Sequence, residues 1–219
     1  MKQTFHILLL SAACVLACAS AQAKPRQYAD SAIYQGMHVR LDVGNMALQL
    51  GMSKGLVQQY EGLINANLLN KYYPTLELGY MNARGEAAGG GFAGQGAFTR
   101  IGVDLNPIRK RRNGDYFLSV GIRAGFALQD CTWSNVNLND TYWGTPPINR
   151  HQKVRFDSWG EVVAGLNVKV VGGFTMGWAL RIHFLFTGKL GPYQPYYIPG
   201  FGQQNGGNFG FNYYLGWRF

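Results

Sequence analysis

The stretch Phe174–Phe186, FTMGWALRIHFLF, decides the fold that the sequence predicts. From Phe174 onward every second residue is apolar and mostly large, whereas the residues between them include Arg181 and His183. Successive side chains of a β-strand point to opposite faces, so this alternation indicates a strand with one apolar face and one polar face.

The same period of two recurs along the rest of the chain. No helical period of useful length follows residue 30, and the apolar faces contain no Asp, Glu, Lys or Arg. We therefore predict an all-β fold, an eight-stranded antiparallel up-and-down barrel. Its other strands are Met37–Val43, Tyr60–Leu68, Tyr72–Tyr80, Ala97–Leu105, Tyr116–Leu128, Arg155–Val170 and Phe209–Phe219.

The composition favours a barrel that spans a membrane. Only 14% of the 219 residues are charged, against about 25% in ordinary soluble domains. No run of about 18 apolar residues is present, which argues against a transmembrane helix. A soluble lipocalin-like barrel or a two-sheet sandwich remains open, because it would use the same alternation with the apolar face turned inward.

The lengths of the connections predict an orientation. Short periplasmic turns and long extracellular loops are typical of bacterial outer-membrane barrels. The sequence ends in the aromatic residue Phe219, and this ending resembles the C-terminal signal by which the barrel-assembly machinery recognises outer-membrane barrels. The predicted short turns are Leu69–Lys71, Asn106–Asp115 and Val171–Gly173, and the long loops are Gly44–Gln59, Met81–Gly96, Gln129–Val154 and Gly188–Gly207.

Residues 1–23 have the pattern of a secretory signal peptide. Lys2 precedes an apolar stretch, and Ala21-Gln22-Ala23 supplies a small-residue cleavage site. A lipoprotein site ending at Cys18 is the alternative. Cleavage after Ala23 leaves residues 24–219 as the barrel domain. This domain has Cys131 as its single cysteine, and its 19 basic and 11 acidic residues give a net charge of +8.

We predict the cell outer membrane as the location, with membrane lipid and lipopolysaccharide as partners.

If the apolar faces meet lipid, the charged residues face the barrel interior. Eight strands enclose a space that side chains can fill, and buried charges need partners there. We therefore predict an interior closed by an ion network, with a narrow polar conduit as the alternative. Its members are Asp42, Glu61, Glu77, Arg100, Asp104, Arg123, Asp157, Glu161, Arg181 and Arg218.

Catalytic signals are weak. A lipid-modifying enzyme of the envelope would need a histidine near a serine and an acid, and His151, Ser158 and Asp157 are the candidates. The sequence has neither a G-x-S-x-G nor an H-E-x-x-H motif, and it lacks metal-ligand spacing. We expect no cofactor and no metal, and a non-enzymatic protein is favoured over this enzyme.

Two predicted loops, Gln129–Val154 and Gly188–Gly207, are rich in aromatic residues. Exposed aromatic rings beside amide side chains are a common means of holding a glycan or a peptide. Nucleic acid is a poor candidate partner, because the predicted compartment is wrong and the basic run, Arg109-Lys110-Arg111-Arg112, is a single turn. The candidate binding residues are Tyr193, Tyr196, Tyr197, Phe201, Trp133 and Trp143.

Three stretches carry a resemblance to a known family. Residues 97–127 (AFTRIGVDLNPIRKRRNGDYFLSVGIRAGFA), Pro195–Gly202 and the final FGFNYYLGWRF resemble a domain-of-unknown-function family of small outer-membrane barrels from Bacteroides-type bacteria. The resemblance covers roughly residues 35–219 and implies the barrel fold and the outer membrane. It implies no activity or catalytic residue, so the function expected is envelope-structural or surface-binding.

Overall fold

The computed structural model describes residues 33–52, 57–87, 90–108, 116–136, 148–187, 195–204 and 209–219. Eight of its strands close into one antiparallel barrel in the order β1-β10-β7-β6-β5-β4-β3-β2, which confirms the predicted fold class. The elements are β1 (Tyr34–Asp42), α1 (Val43–Met52), β2 (Val57–Leu68), β3 (Tyr72–Ala87), β4 (Gly90–Leu105), β5 (Tyr116–Val136), β6 (Ile148–Val171), β7 (Phe174–Leu185), β8 (Tyr197–Ile198), β9 (Gly202–Gln203) and β10 (Phe209–Arg218).

The two faces of each strand lie on opposite sides of the barrel wall. On β5, Ile122 is 65% exposed whereas its neighbour Arg123 is 6% exposed. On β7, Leu180 is 50% exposed and Arg181 is 1% exposed. The apolar faces therefore point outward and the charged faces inward, which is opposite to the arrangement of a lipocalin-like barrel.

A short helix occupies a segment that we predicted to be a loop. α1 begins directly after β1, where Asp42 Oδ1 accepts hydrogen bonds from Gly44 N at 3.0 Å and Asn45 N at 3.2 Å. Asp42 is thus the N-cap of the helix. The prediction missed α1 although Val43, Met46, Ala47 and Leu50 have helical spacing, because the segment is only ten residues long and contains two glycines, Gly44 and Gly51. Within the described ranges, no helix is long and apolar enough to cross a bilayer.

Two of the predicted long loops consist largely of strand. The β3–β4 pairing continues up to Ala87 opposite Gly90, and the β5–β6 pairing up to Val136 opposite Ile148. These extensions carry glycine and polar residues on their outer faces, so they lack the apolar alternation that marked the rest of each strand. The barrel wall formed by β3 to β6 therefore rises beyond that of the shorter strands.

Two of the predicted short turns, Leu69–Lys71 and Val171–Gly173, are present at the other end of the barrel, whereas most of the third, Asn106–Asp115, lies outside the described residues. Leu69 and Asn70 adopt left-handed backbone angles with φ of 55° and 49° between β2 and β3. Asn67 Oδ1 accepts a hydrogen bond from Asn70 N at 3.0 Å, which fixes this turn. At the same end β1 meets β10, where Phe219 N donates to Met37 O at 2.9 Å.

The burial of Cys131 allows a labelling test of the fold. This thiol is fully buried against Phe92 and Trp133. In native protein of residues 24–219 we expect it to resist iodoacetamide, and to react completely after the protein is boiled in SDS. Mass spectrometry reads the modification. As a control, Ser134→Cys adds a thiol at an exposed position on the same strand, and this thiol should react in the native protein. Rapid labelling of native Cys131 would contradict the described packing.

Candidate functional site

A cluster of charged side chains crosses the barrel interior, with Glu77 at its centre. Glu77 is fully buried. Its carboxylate contacts three guanidinium groups: Arg100 Nη1 at 2.7 Å, Arg181 Nη1 at 2.9 Å, and Arg123 Nη1. One residue of β3 thus joins strands β4, β5 and β7 through charge-assisted hydrogen bonds.

Three more carboxylates complete this central charge cluster. Glu61 Oε2 lies 2.9 Å from Arg100 Nη1, and Glu161 Oε1 lies 2.8 Å from Arg100 Nε. Asp104 Oδ2 lies 2.9 Å from Arg123 Nη2. Four carboxylates therefore surround three guanidinium groups, and these near-balanced charges connect all six strands from β2 to β7. Removing one member of this cluster would leave its partners buried and unpaired, which is strongly destabilising.

The other three predicted members of the network take different positions. Asp42 caps α1 and is joined to the cluster through Asn212, whose Nδ2 donates to Asp42 Oδ2 at 2.6 Å and whose Oδ1 accepts from Arg181 Nε at 2.6 Å. Asp157 contacts Arg155 Nε at 3.0 Å. Arg218 lies at the short-turn end, where its Nη2 donates to Gln35 O at 3.4 Å. The alternation along a strand shows on which face of the barrel wall a residue lies, but not at which height along the barrel axis.

Neutral side chains that were not among the predicted members also hydrogen-bond to the cluster. Trp159 Nε1 donates to Glu161 Oε1 at 2.6 Å, and Tyr214 Oη donates to Glu61 Oε1 at 3.1 Å. Both side chains occupy inward-facing positions in the alternation of their strands. This alternation is the sequence signal that could have identified them.

The segment 195–204, which contains β8 and β9, packs onto the cluster from the end of the barrel at which the β3–β4 and β5–β6 hairpins extend. Ile198 and Phe201 are buried and form an apolar cluster with Phe98 and Trp159. The backbone is tied down as well, because Arg100 Nη2 donates to Gly200 O at 2.5 Å. Gly200 has a φ of +76°, a conformation that favours glycine. The charge cluster is therefore covered by an aromatic cap.

Three of the predicted binding aromatics, Trp133, Tyr196 and Tyr197, lie together. Trp133 is buried on β5 with its ring 6.0 Å from that of Phe92, and Tyr196 and Tyr197 pack against this pair. Phe201 belongs instead to the cap. Tyr196 and Tyr197 are half-buried, with rings 5.0 Å apart in an edge-to-face arrangement. Desolvation and the neighbouring Tyr196 raise the pKa of the Tyr197 hydroxyl. Tyr193 and Trp143 lie outside the described residues.

The structure does not bring the three candidate catalytic residues into one site. His151 Nε2 lies 2.7 Å from Asp130 Oδ1, and both side chains are partly exposed. Asp157 is buried inside the barrel. The Ser158 backbone N–H donates to Thr187 Oγ1 at 2.9 Å. Across the described residues there is no group of three or more His, Cys, Asp or Glu side chains arranged to hold a metal ion.

Comparisons with known proteins give one family. A family described as "Domain of unknown function (DUF6048)" matches residues 1–218. No curated protein and no solved structure matches the chain. The predicted membership of an uncharacterised domain family is thus confirmed, whereas the outer-membrane identity and the Bacteroides-type origin stay predictions. The predicted signal peptide, residues 1–23, lies outside the described residues.

Proposed function

The chain belongs to the DUF6048 family of domains of unknown function, and from this premise we propose that it is a small, non-enzymatic outer-membrane barrel with an envelope-structural role. One observation carries the proposal. The outer wall of the barrel is a continuous apolar surface, whereas its charged residues point inward. Charge on a lipid-facing strand position costs about 2 to 4 kcal/mol near the bilayer centre, so a membrane selects this segregation.

The height of the apolar belt supports a membrane location. On the outer face of β3, Tyr72 and Tyr80 bracket the exposed residues Pro74, Leu76 and Leu78. At about 3.4 Å per residue these tyrosines are roughly 27 Å apart along the strand. A strand tilt of about 40° reduces this to roughly 20 Å, close to the belt of about 25 Å in outer-membrane barrels.

Aromatic residues border the belt at both levels, as the aromatic girdles of membrane proteins do. We assign the girdle near the short turns to the periplasmic side, and the other to the extracellular side. The first consists of Tyr34, Tyr72, Tyr116, Phe174, Trp217 and Phe219, and the second of Tyr60, Tyr80, Phe156, Phe184, Phe186 and Phe209.

The interior supports a structural role over conduction. Large side chains meet across it in the central charge cluster, and the segment 195–204 covers that cluster from one end. We propose that the barrel is closed to solutes. A surface-binding role falls to the half-buried rings of Tyr196 and Tyr197, which form the part of the cap best suited to stack against a glycan or a peptide. Lipid and lipopolysaccharide would surround the belt, and Phe219 would engage the assembly machinery.

Gel mobility tests the membrane-barrel proposal. Residues 24–219, refolded in detergent, should migrate differently in SDS electrophoresis with and without boiling. We expect this because a closed barrel resists SDS until it is heated. The boiled sample is the reference for the unfolded chain. Identical mobility, together with solubility in plain buffer, would contradict the proposal.

A further inference from the structure

Four buried polar side chains lie in the barrel interior on the side of the short turns, outside the central charge cluster. None is more than 4% exposed: His38, Arg40, Asn65 and Thr175. Among the described residues, seven of their nitrogen and oxygen atoms have no hydrogen-bond partner. These are both ring nitrogens of His38, Nε and Nη2 of Arg40, both amide atoms of Asn65 and the Thr175 hydroxyl. Burying polar groups without partners is costly, so these atoms point to a bound species.

The strand pairing places His38, Asn65 and Arg40 together. His38 lies directly opposite Asn65 across β1–β2, which puts their Cβ atoms about 5 Å apart. Arg40 follows His38 on the same face of β1, roughly 7 Å along the strand. Both side chains lie near the ring of Phe117, whose centroid is 5.9 Å from that of His38 and 6.0 Å from Arg40 Cζ. The guanidinium and the imidazole therefore lie in the same layer of the interior.

Thr175 approaches this layer from the other side of Arg40. Arg40 lies opposite Gly216 across β1–β10, and Gly216 lies opposite Thr175 across β10–β7. A Cβ on Gly216 would overlap Arg40 Cγ, so the arginine side chain runs over this glycine toward β7. Arg40 Nη1 donates to Asn167 Oδ1 on β6, the next strand beyond β7. The guanidinium therefore lies next to the strand that carries Thr175.

The charge of Arg40 is not balanced by a direct partner. Its Nη1 donates to the neutral amide of Asn167, and its Cζ lies 5.4 Å from the ring centroid of Tyr214. None of the ion pairs formed by the described residues includes Arg40, and the carboxylate of Asp104 is engaged by Arg123 Nη2 at 2.9 Å. A buried guanidinium without a counter-charge is unfavourable, whereas a bound anion compensates it.

Two more basic residues lie on the same inner face at the short-turn end. Lys169 is opposite Thr175 across β6–β7, and Arg218 is opposite His38 across β1–β10. Both side chains are partly exposed. Positive charge at this mouth of the barrel raises the local concentration of anions, which favours their approach from this end.

We propose that Arg40, His38, Asn65 and Thr175 bind one small inorganic anion, such as chloride, inside the barrel. The Arg40 guanidinium supplies the compensating charge and N–H groups on Nε and Nη2. The imidazole, the amide and the hydroxyl can each donate one more hydrogen to the same anion. Because these residues line the interior, the site does not depend on what surrounds the outer wall, and the proposal stands apart from the membrane placement proposed above.

The chloride dependence of unfolding tests the proposal. Residues 24–219, refolded in detergent, are unfolded in urea over a series of chloride concentrations, with sodium gluconate holding the ionic strength constant. An anion bound only by the folded state should lower the unfolding constant about tenfold for each tenfold rise in chloride once the site is well filled. We expect this dependence in the wild type. Arg40→Met keeps a long side chain but removes every N–H, so it should abolish the dependence, and Thr175→Val should weaken it.

The matched control is Arg84→Met, which removes the same charge from an exposed position on β3 and should keep the dependence of the wild type. A wild-type unfolding constant that chloride does not change would overturn the proposal, and so would equal dependence in the wild type and Arg40→Met. If Arg40→Met does not refold, crystals of the wild type grown in bromide give the answer. An anomalous peak beside the Arg40 guanidinium is expected, and water alone at that place would refute the anion site.

Discussion

Ile122→Arg is expected to lower the free energy of unfolding from a bilayer by about 2 to 4 kcal/mol. Ile122 lies on the outer face of β5, midway between Tyr116 and Leu128, and is 65% exposed. A membrane barrel would hold this guanidinium near the centre of the hydrocarbon layer. Reversible urea unfolding of the barrel in lipid vesicles, followed by tryptophan fluorescence, measures the difference.

Thr132→Arg is the matched control for this substitution. Thr132 is exposed on the same face of the same strand, but it lies above the proposed belt. The same arginine should there cost less than about 1 kcal/mol, because it reaches the interface or water. If the two variants are equally stable in vesicles, Ile122 does not face lipid, and the membrane proposal fails.

Glu77→Gln is expected to destabilise the barrel by about 3 to 5 kcal/mol, the usual cost of breaking a buried ion pair from one side. The amide keeps the size of the side chain but removes the charge that faces Arg100, Arg123 and Arg181. These guanidinium groups would then be under-compensated in a site that water barely reaches. Urea unfolding in vesicles again provides the measurement.

An exposed ion pair supplies the comparison for Glu77. Asp130→Asn makes the same chemical change at a carboxylate whose side chain is 38% exposed beside His151. Such pairs contribute about 0 to 1 kcal/mol, so little stability should be lost. If the Glu77→Gln and Asp130→Asn variants have the same free energy of unfolding, the central charge cluster does not stabilise the barrel.

The period of two in the sequence was sufficient to predict the eight barrel strands and to divide each strand into an apolar and a polar face. Ile122 and Arg123 illustrate the limit: the alternation separates them, but a lipocalin-like barrel would use the same alternation, and only their burial shows that Ile122 faces outward and Arg123 inward. The same rule placed Glu61, Glu77, Glu161 and the arginines on one inner surface, even though their partners are far apart in the chain.

The contacts along the barrel axis were not predictable in this way. Asp42 and Glu77 share an inward parity, yet one caps a helix and the other binds three arginines. Their heights depend on the stagger between strands, which no local pattern records. The burial of Phe201 depends on the path of segment 195–204, and that path is fixed by distant contacts such as the bond from Arg100 to Gly200 O.

The position of β10 has a consequence for assembly. This strand lies between β7 and β1, so it pairs on both sides, yet it follows all the other barrel strands in the chain. Until it is in place, the preceding seven strands form an open sheet with two unsatisfied edges, each able to recruit a second copy. Delay in synthesis or delivery of β10 therefore favours aggregation, and a factor that holds the edge of β1 until β10 arrives would protect the chain at its most vulnerable stage.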